Sequence, residues 1–473
     1  MLNQLLALLF LTFLVFKTPG CGKEKKDLEK ELKIQRPNFV LIVTDDQVLK
    51  ALRFMPCTQT QLLGQGIFFT NTFCASPVCA PSRASIFTGQ YVHHHGVTTN
   101  AAPSFIKKRD QKNTIATVLK EIGYTTALIG KYTHGFINER YVPPGWDVWY
   151  ALLGGAPGYY NYRLNDNGRP LTFGDKAEDY STDVLARKAC GFIKSLEKSN
   201  RPFFMYLAPS APHVPLTPAP RHMGAFAGLR IPLPQIEQDI RDKPRWLQDN
   251  RRLNVQNKGL AVQESLDTGL DTKRMETLLA VDDMIANVLK TLADTGKIQN
   301  TFIFMLADNG DDYSRHTRFS GKLLPYEEGI RTPLIVRAPG TKSATVSDYL
   351  VSAVDLLPTL AELAGVSKPG FADGRSLVPL ISDCPPPASN WRNACLVELG
   401  RFAKWYYLSH PPAYALLRFK DCKYIEYDTG EREFYDLRLD PDELLNIYEN
   451  QNVAQKNRLH AQLQEALTHS AGL

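Results

Sequence analysis

At 473 residues, 44% hydrophobic and 22% charged, the chain is long enough for a large core with a second, smaller unit, and its composition excludes a disordered or fibrous protein. The 55 basic and 49 acidic side chains leave a net charge of +6 with no concentrated basic tract, which excludes a nucleic-acid partner. The first element is an address: LLALLFLTFLVF, Leu5 to Phe16, is an apolar run broken only by Thr12, too short to span a bilayer and of the length of a signal-peptide core. No Lys or Arg precedes it, and TPGC before Gly22 is a poor cleavage or lipidation site. Residues 1–21 are therefore read as a signal peptide or a retained membrane leader, and residues 22–35, charged at nearly every position, as a solvated spacer. The protein is expected to be exported, whether secreted, periplasmic or lysosome-like, or held at a membrane by this segment. Eight cysteines suit an oxidising compartment, and only Cys384 and Cys395, bracketing PPPASNWRNA, are placed for a local loop closure.

From residue 36 the pattern alternates strand and helix. PNFVLIVTDD, YTTALIGK, PFFMYLAPSAPH and TFIFMLADNG are each a β-rich apolar run that ends in polar residues, as buried parallel strands read. Before the last of them, Leu278, Val281, Ile285, Val288 and Leu292 fall on one helical face that Gly296 ends. This grammar predicts an α/β sheet covered on both sides over residues 36–383. Beyond about Cys395 it gives way to short strands, ACLVEL, KWYYLS, YALLRF, KYIEYDTG and REFYDLR, then a helix near AQKNRLHAQLQEAL. Residues 384–473 are therefore expected to form a smaller antiparallel subdomain closed by a helix.

Ligands of an open α/β sheet bind beyond the carboxyl ends of its strands, so Asp45, Asp46, Lys131, His213, Asp308 and Asn309 are expected to converge. Three carboxylates and an amide, with no cysteine or histidine pair at zinc spacing, suit calcium or magnesium, and calcium where several protein oxygens gather. An acidic pair after a strand is equally often a helix cap or a solvated turn, and Asp282 and Asp283, mid-helix among apolar neighbours, are assigned no site. His93, His94 and His95 are read as core or supporting residues, because adjacent side chains point in different directions. In CAPSRASIFTG, Pro81 suits the first turn of a helix, which puts Cys79 at its entrance, where free N–H groups favour anions, with Arg83 one turn on and on the same face. Taken alone, the string fits an activated thiolate or a buried cysteine.

The whole string resembles the first signature of the sulfatase family, Cys-x-Pro-Ser-Arg, four residues, then Thr-Gly, met by Cys79, Pro81, Ser82, Arg83, Thr88 and Gly89. GYTTALIGKY, Gly123 to Tyr132, resembles the second. RPNFVLIVTDDQ, APHVPLTPAPRH, ADNG, GKLLPYEEGIRTPLIVRAPG and FYDLRLDPDELLNIY extend the resemblance from Arg36 to Tyr448. It implies an alkaline phosphatase-like fold, a large, mixed and mostly parallel sheet flanked by helices, and a sulfuric ester hydrolase. It also implies that a formylglycine-generating enzyme, reading Pro81, Ser82 and Arg83, oxidises Cys79 to formylglycine. One hydroxyl of the hydrate then attacks sulfur and expels the alcohol; the other loses its proton and the re-forming carbonyl expels sulfate. Asp45, Asp46, Asp308, Asn309 and residue 79 would hold one calcium, with magnesium the alternative. Lys131 and Lys322 would bind the SO3 group and neutralise its charge, Arg83 would orient the diol, His213 would protonate the departing alcohol, and Asp308 could shuttle the nucleophile's proton.

Many sulfatases carry a histidine two residues after the signature lysine, where this chain has Thr133; His134 follows, and it and His316 are kept as candidates for serving the diol or the substrate pocket. Among sulfatases, VPPGWDVWYALLGGAPGYYNYRLNDNG with EDYSTDVLARKACGFI most resembles the N-acetylglucosamine-6-sulfatase group, which implies 6-O-sulfated glucosamine of heparan or keratan sulfate as substrate, beside aryl sulfates. The tyrosines and asparagines of Gly158 to Gly168 would offer sugar-binding faces, or else form an ordinary hairpin. The competing functions are a phosphodiester or phosphonate monoester hydrolase using the same site, and a non-catalytic binder of sulfated glycans in which Cys79 stays a thiol.

Overall fold

Every residue of Asn38–Thr44 (β1) is buried, as a strand covered on both faces requires. The computed structural model describes residues 36–100, 109–154, 158–229, 240–249, 270–311, 322–341, 343–382, 384–401 and 411–468. The leader at residues 1–21, the charged spacer at 22–35, the strand expected at 404–409 and His316 lie outside the described residues. With β1, Ile67–Phe73 (β2), Thr125–Gly130 (β3), Val148–Leu152 (β4), Arg163–Asp166 (β5), Arg169–Thr172 (β6), Phe203–Ala208 (β7), Thr301–Ala307 (β8), Arg331–Arg337 (β9) and Thr345–Ser352 (β10) form a ten-stranded sheet in the order β10-β2-β9-β8-β1-β7-β3-β4-β5-β6. Pairing is parallel at β10–β2, β8–β1, β1–β7, β7–β3 and β3–β4. Only β9, against β2 and β8, and the β4–β5–β6 edge are antiparallel. The sheet is thus mixed and mostly parallel, as the resemblance implied.

The principal helices are Cys79–Thr88 (α1), Ile115–Glu121 (α2), Ser181–Ser195 (α3), Leu270–Asp294 (α4), Leu356–Leu363 (α5) and Val453–Thr468 (α6). Side chains of β1 alternate between two cores, as the two-residue period of a strand dictates. Phe39, Leu41 and Val43 pack with Ile86, Leu119 and Leu357 from α1, α2 and α5. Val40 and Ile42 pack with Leu185, Leu278 and Ile285 from α3 and α4. Each such fully buried side chain contributes roughly 1.5–3 kcal/mol relative to exposure. No helix among the described residues is long and apolar enough to cross a membrane.

Ala394–Leu399 (β11), Tyr414–Phe419 (β12), Cys422–Tyr427 (β13) and Arg432–Asp436 (β14) make the second sheet, antiparallel throughout. Leu459, Leu463 and Ala466 of α6 cover one face of it, packing with Leu396 of β11 and Leu417 of β12. Its other face shares a core with the large sheet through Phe73, Ile330, Val397, Leu416 and Ile425. Cys384 is exposed and Cys395 is buried in β11, both free thiols, so the local loop closure considered for this pair is not formed. Asp282 is structural: its carboxylate accepts the Cys57 and Thr58 amides and the Thr58 hydroxyl, each at 2.7 Å.

Candidate active site

Strand register assembles the site. Because Thr44 at the end of β1 pairs with Ala307 at the end of β8, the acidic pairs that follow each strand emerge side by side. The Asp46 amide donates to Asp308 Oδ1 at 3.1 Å and Asn309 Nδ2 donates to Asp46 Oδ1 at 2.6 Å. Asp46 has φ +64°, a left-handed conformation that costs a non-glycine residue on the order of 1 kcal/mol or more and is typical of functional sites. From the end of β3, Lys131 reaches into the cluster and its ammonium donates to Asp45. Gly130 before it, at φ +115°, passes so close to β7 that a Cβ would sit 2.0 Å from the Ala208 carbonyl oxygen, which is the physical reason for glycine in the second signature. From the end of β7, His213 gives its Nδ1 hydrogen to the Val214 carbonyl at 2.5 Å and brings Nε2 to 3.5 Å from Asp46 Oδ2.

α1 delivers the first signature to the same point. Cys79 is its first residue, and Gly89 ends it at φ +65°. The Ser82 hydroxyl donates to the Asp308 carbonyl. Arg83 is fully buried; its Nε donates to Asp308 Oδ2 at 2.8 Å and its Nη1 donates to the Lys131 carbonyl at 3.0 Å and to the Tyr206 hydroxyl at 3.2 Å. Arg83 therefore braces Asp308 and Lys131, rather than being aimed only at residue 79. Cys79 Sγ lies 3.5 Å from Asp45 Oδ1 and 2.7 Å from Lys322 Nζ. Lys322 also contacts Asp46, at 3.0 and 3.1 Å. It is fixed by its neighbour Leu323, whose amide donates to the Pro77 carbonyl and whose carbonyl accepts the Tyr414 hydroxyl. Asp45, Asp46, Lys131, His213, Asp308 and Asn309 thus converge as the strand ends predicted, and Cys79, Arg83 and Lys322 join them.

Burial of so many charges sets their protonation. Burial pushes the Asp45 carboxyl upward, but Lys131, with His213, Arg83 and Lys322, overrides it and holds the group well below the usual range. Asp308 goes the other way: burial, reinforced by Asp45 and Asp46 against the pull of Arg83, raises it to about 6. Burial lifts the Cys79 thiol to about 12 in spite of Lys131 and Lys322. His134 is lowered to about 4 by burial and by the same two lysines, so it is uncharged at neutral pH. Its Nδ1 is buried without a hydrogen-bond partner.

The donor set fits a hard divalent cation. Oxygens of Asp45, Asp46 and Asp308 lie within 4.8 Å of one another, and Asn309 Oδ1 is buried with no hydrogen-bond partner, an orphan that a cation would satisfy. Because Asp308 retains a proton to about 6, that proton must leave before the carboxylate can bind metal. Affinity for an added hard divalent cation, measured by calorimetry, is expected to be flat above about pH 7 and to fall roughly tenfold per unit below about pH 6, as one displaced proton dictates. A flat profile from pH 5 to 7 would contradict it.

Two supporting roles were not found from sequence, where Tyr159 was only one of the tyrosines considered as sugar-binding faces. Tyr159 donates its hydroxyl to the His213 carbonyl at 2.9 Å, and Tyr206 holds Arg83 from within β7. Neither carries a local signal, since each is a tyrosine in an aromatic-rich stretch. Tyr159 and Tyr162 are buried, so the aromatic faces expected of Gly158 to Gly168 belong to the core at these positions. The three side chains of the histidine run go to separate partners, in keeping with the expectation that they form no joint cage, although His94 is not a core residue. His93 and His94 have ring centroids only 4.2 Å apart and pair separately with Glu398 and Asp373, and His94 is exposed. His95 alone is a core residue, bound to the Ser85 hydroxyl.

Ten strands with this order and a polar site at the carboxyl ends of the parallel ones define an alkaline phosphatase-like hydrolase fold. Comparison with known proteins narrows the class. Residues 37–366 match the sulfatase family, and residues 315–470 match the C-terminal family of N-sulphoglucosamine sulphohydrolase. The chain belongs to the sulfatase family, a family of sulfuric ester hydrolases. It is 34% identical to the N-acetylglucosamine-6-sulfatase of Homo sapiens over 87% of this chain and 81% of that one. It is 28% identical to the N-acetylglucosamine-6-O-sulfatase of Bacteroides thetaiotaomicron over 97% and 90%. Against the extracellular sulfatase SULF-1 homolog of Drosophila melanogaster, 34% identical, it spans only 33% of the relative's length. A solved structure in complex with its substrate D-glucosamine-2-N,6-O-disulfate superposes with a TM-score of 0.78 at 25% identity, covering 92% of this chain and 98% of the other. The phosphonate monoester hydrolase of Silicibacter pomeroyi shares the fold, at a TM-score of 0.74 and 22% identity over 92% and 95% of the two chains.

Proposed function

We propose that the protein is an exported hydrolase of sulfated sugars, acting on 6-O-sulfated N-acetylglucosamine units of a glycosaminoglycan and on aryl sulfates, with residue 79 converted to formylglycine by its modifying enzyme. The observation that carries this is the placement of Cys79 at the entrance of α1, among two lysines, one histidine and the oxygen cluster. Asp45, Asp46, Asp308, Asn309 and residue 79 would hold one calcium. The converted residue supplies a hydroxyl nucleophile and the cation a Lewis acid for sulfate oxygens.

The remaining work falls to the chain's own side chains. Lys131 and Lys322 are kept protonated, because Asp45 and Asp46 outweigh the downward push of burial, and their ammonium groups flank residue 79 where charge on the SO3 group would grow. Arg83 holds Asp308 and the Lys131 backbone in place behind them. His213 has its Nδ1 hydrogen committed to Val214, so Nε2 is the atom from which a proton can pass to the leaving alcohol. His134, uncharged and with an unfilled Nδ1, would serve as a hydrogen-bond partner for a hydroxyl and not as an acid.

His213→Ala is expected to lower kcat/KM for sugar sulfates by about 10²–10⁴-fold, and for nitrophenyl sulfate, whose leaving group needs no proton, by less than about tenfold. Equal losses on both would remove the general-acid role. Tyr159→Phe, which frees the His213 carbonyl, is expected to cost about 3–10-fold on sugar sulfates and to spare nitrophenyl sulfate, from the ~0.5–1.5 kcal/mol of one hydrogen bond. A uniform loss on both substrates would mean that Tyr159 is merely structural. The substrate is tested with a panel of sulfated sugars and matched phosphate esters. Turnover led by 6-sulfated N-acetylglucosamine supports the reading, and faster cleavage of the phosphate esters overturns it.

A further inference from the structure

Position 79 belongs to a second donor set, distinct in chemistry from the oxygen cluster. One ligating atom from each of Asp45, Cys79 and His213 lies within 4.8 Å of the other two, and all three residues are buried. Cys79 Sγ stands 3.5 Å from Asp45 Oδ1. A tetrahedral zinc with bonds of about 2.3 Å to sulfur and about 2.1 Å to oxygen separates those two ligands by about 3.6 Å. His213 supplies an independent indication. Its Nδ1 hydrogen is held by the Val214 carbonyl, which makes Nε2, 3.5 Å from Asp46 in the same site, the ring atom available to a metal when the imidazole is neutral. A backbone carbonyl on the far nitrogen is how metal-ligating histidines are oriented. A thiolate, an imidazole and a single carboxylate favour zinc over calcium.

We propose that the chain in which position 79 remains cysteine is a zinc-binding protein, holding one Zn²⁺ through Cys79 Sγ, His213 Nε2 and an Asp45 oxygen, with water in the fourth position. The site is independent of the sulfatase reading, since it needs only the three side chains as they stand. Binding forms a Zn–S bond and releases the thiol proton to solvent, one proton per metal. The two charges of the metal are matched by the thiolate and Asp45. Lys322, displaced from the sulfur, keeps Asp46 as its partner at 3.0 Å, and Lys131 stays on Asp45 Oδ2 while the Cys79 sulfur faces Oδ1. Replacing the thiol by an aldehyde removes the sulfur, so only unconverted molecules carry this site. Because Asp45 belongs to both donor sets, such molecules are a chemically distinct, zinc-loaded population.

The test uses the full chain produced without a modifying enzyme, with its intact mass confirming cysteine at position 79. It is stripped with chelator and titrated with Zn²⁺ and then with Cd²⁺. One tightly bound zinc per chain, a cadmium–thiolate charge-transfer band in the ultraviolet and a rise in Tm with zinc are expected. Cys79→Ser should abolish the band and weaken zinc by at least about 100-fold, and His213→Ala should weaken it by about 10–100-fold, with cooperative melting retained in metal-free samples of both. Cys384, exposed, and Cys57, Cys190 and Cys422, part-buried, remain in the serine variant. A band or tight zinc that survives Cys79→Ser therefore comes from another thiol or from the oxygen cluster and overturns the proposal. So does a cooperatively melting wild-type chain that binds no zinc.

Discussion

Cys79→Ala, made in a host that carries the modifying enzyme, is expected to lose at least about 10⁴-fold in turnover of every sulfate ester, because it removes the nucleophile itself and not a group that assists it. The fold should survive. Residue 79 is buried at the first position of α1, where alanine is tolerated, and the change deletes one sulfur from a site whose other charges still pair among themselves. Tm is accordingly expected to move by a few degrees at most, which a thermal melt checks beside the activity assay. Residual turnover within about 100-fold of the parent would mean that another group attacks sulfur.

The second large effect is at Lys131, where activity and stability fall together. Lys131→Ala leaves Asp45 buried opposite nothing at Oδ2, although Arg83 and Lys322 remain farther off. Stranding one member of a buried ion pair costs about 3–5 kcal/mol, and loss of one charge-stabilising donor costs about 10²–10³-fold in kcat. The sign of the pH dependence follows. In the parent, the depressed Asp45 group stabilises the fold above its unfolded pKa, and that contribution is lost as pH falls through its folded value. In the variant this stabilisation is largely gone, so the Tm difference between the two proteins should narrow as pH falls through the carboxylate range. The double variant Lys131→Met, Asp45→Asn removes both charges and should recover Tm without recovering activity. An unchanged Tm in Lys131→Ala at pH 7 would contradict the burial argument.

Much of this site could be read from the chain alone because its residues stand at strand ends, where a change from apolar to polar is visible. Asp45, Asp46, Lys131, His213, Asp308 and Asn309 were found in that way. What joins them is register, and the pairing of Thr44 with Ala307 leaves no mark on either segment. The same holds for β9, whose run of apolar residues gives no direction and which turned out to be antiparallel to both neighbours. The signature letters were legible but not all of their reasons. Ser82 ties α1 to the Asp308 carbonyl, and Gly130 makes room for the Ala208 backbone; both depend on elements far away in sequence. The role of Tyr159 was hidden because a tyrosine that holds a backbone carbonyl looks like any other tyrosine in an aromatic stretch. His93, His94 and His95 were read as core or supporting residues that cannot jointly cage an ion, and each side chain does go to its own partner, Glu398, Asp373 and Ser85.

The central claim is that hydrolysis depends on the converted form of residue 79, and it is tested most directly by titrating activity against conversion. Preparations made with graded amounts of the modifying enzyme are digested with trypsin, and the peptide ending at Arg83 is weighed to give the fraction carrying aldehyde in place of cysteine. Sulfate release from nitrophenyl sulfate by the same preparations should rise in proportion to that fraction and extrapolate to zero at zero conversion. Equal activity in fully unconverted protein would contradict the account.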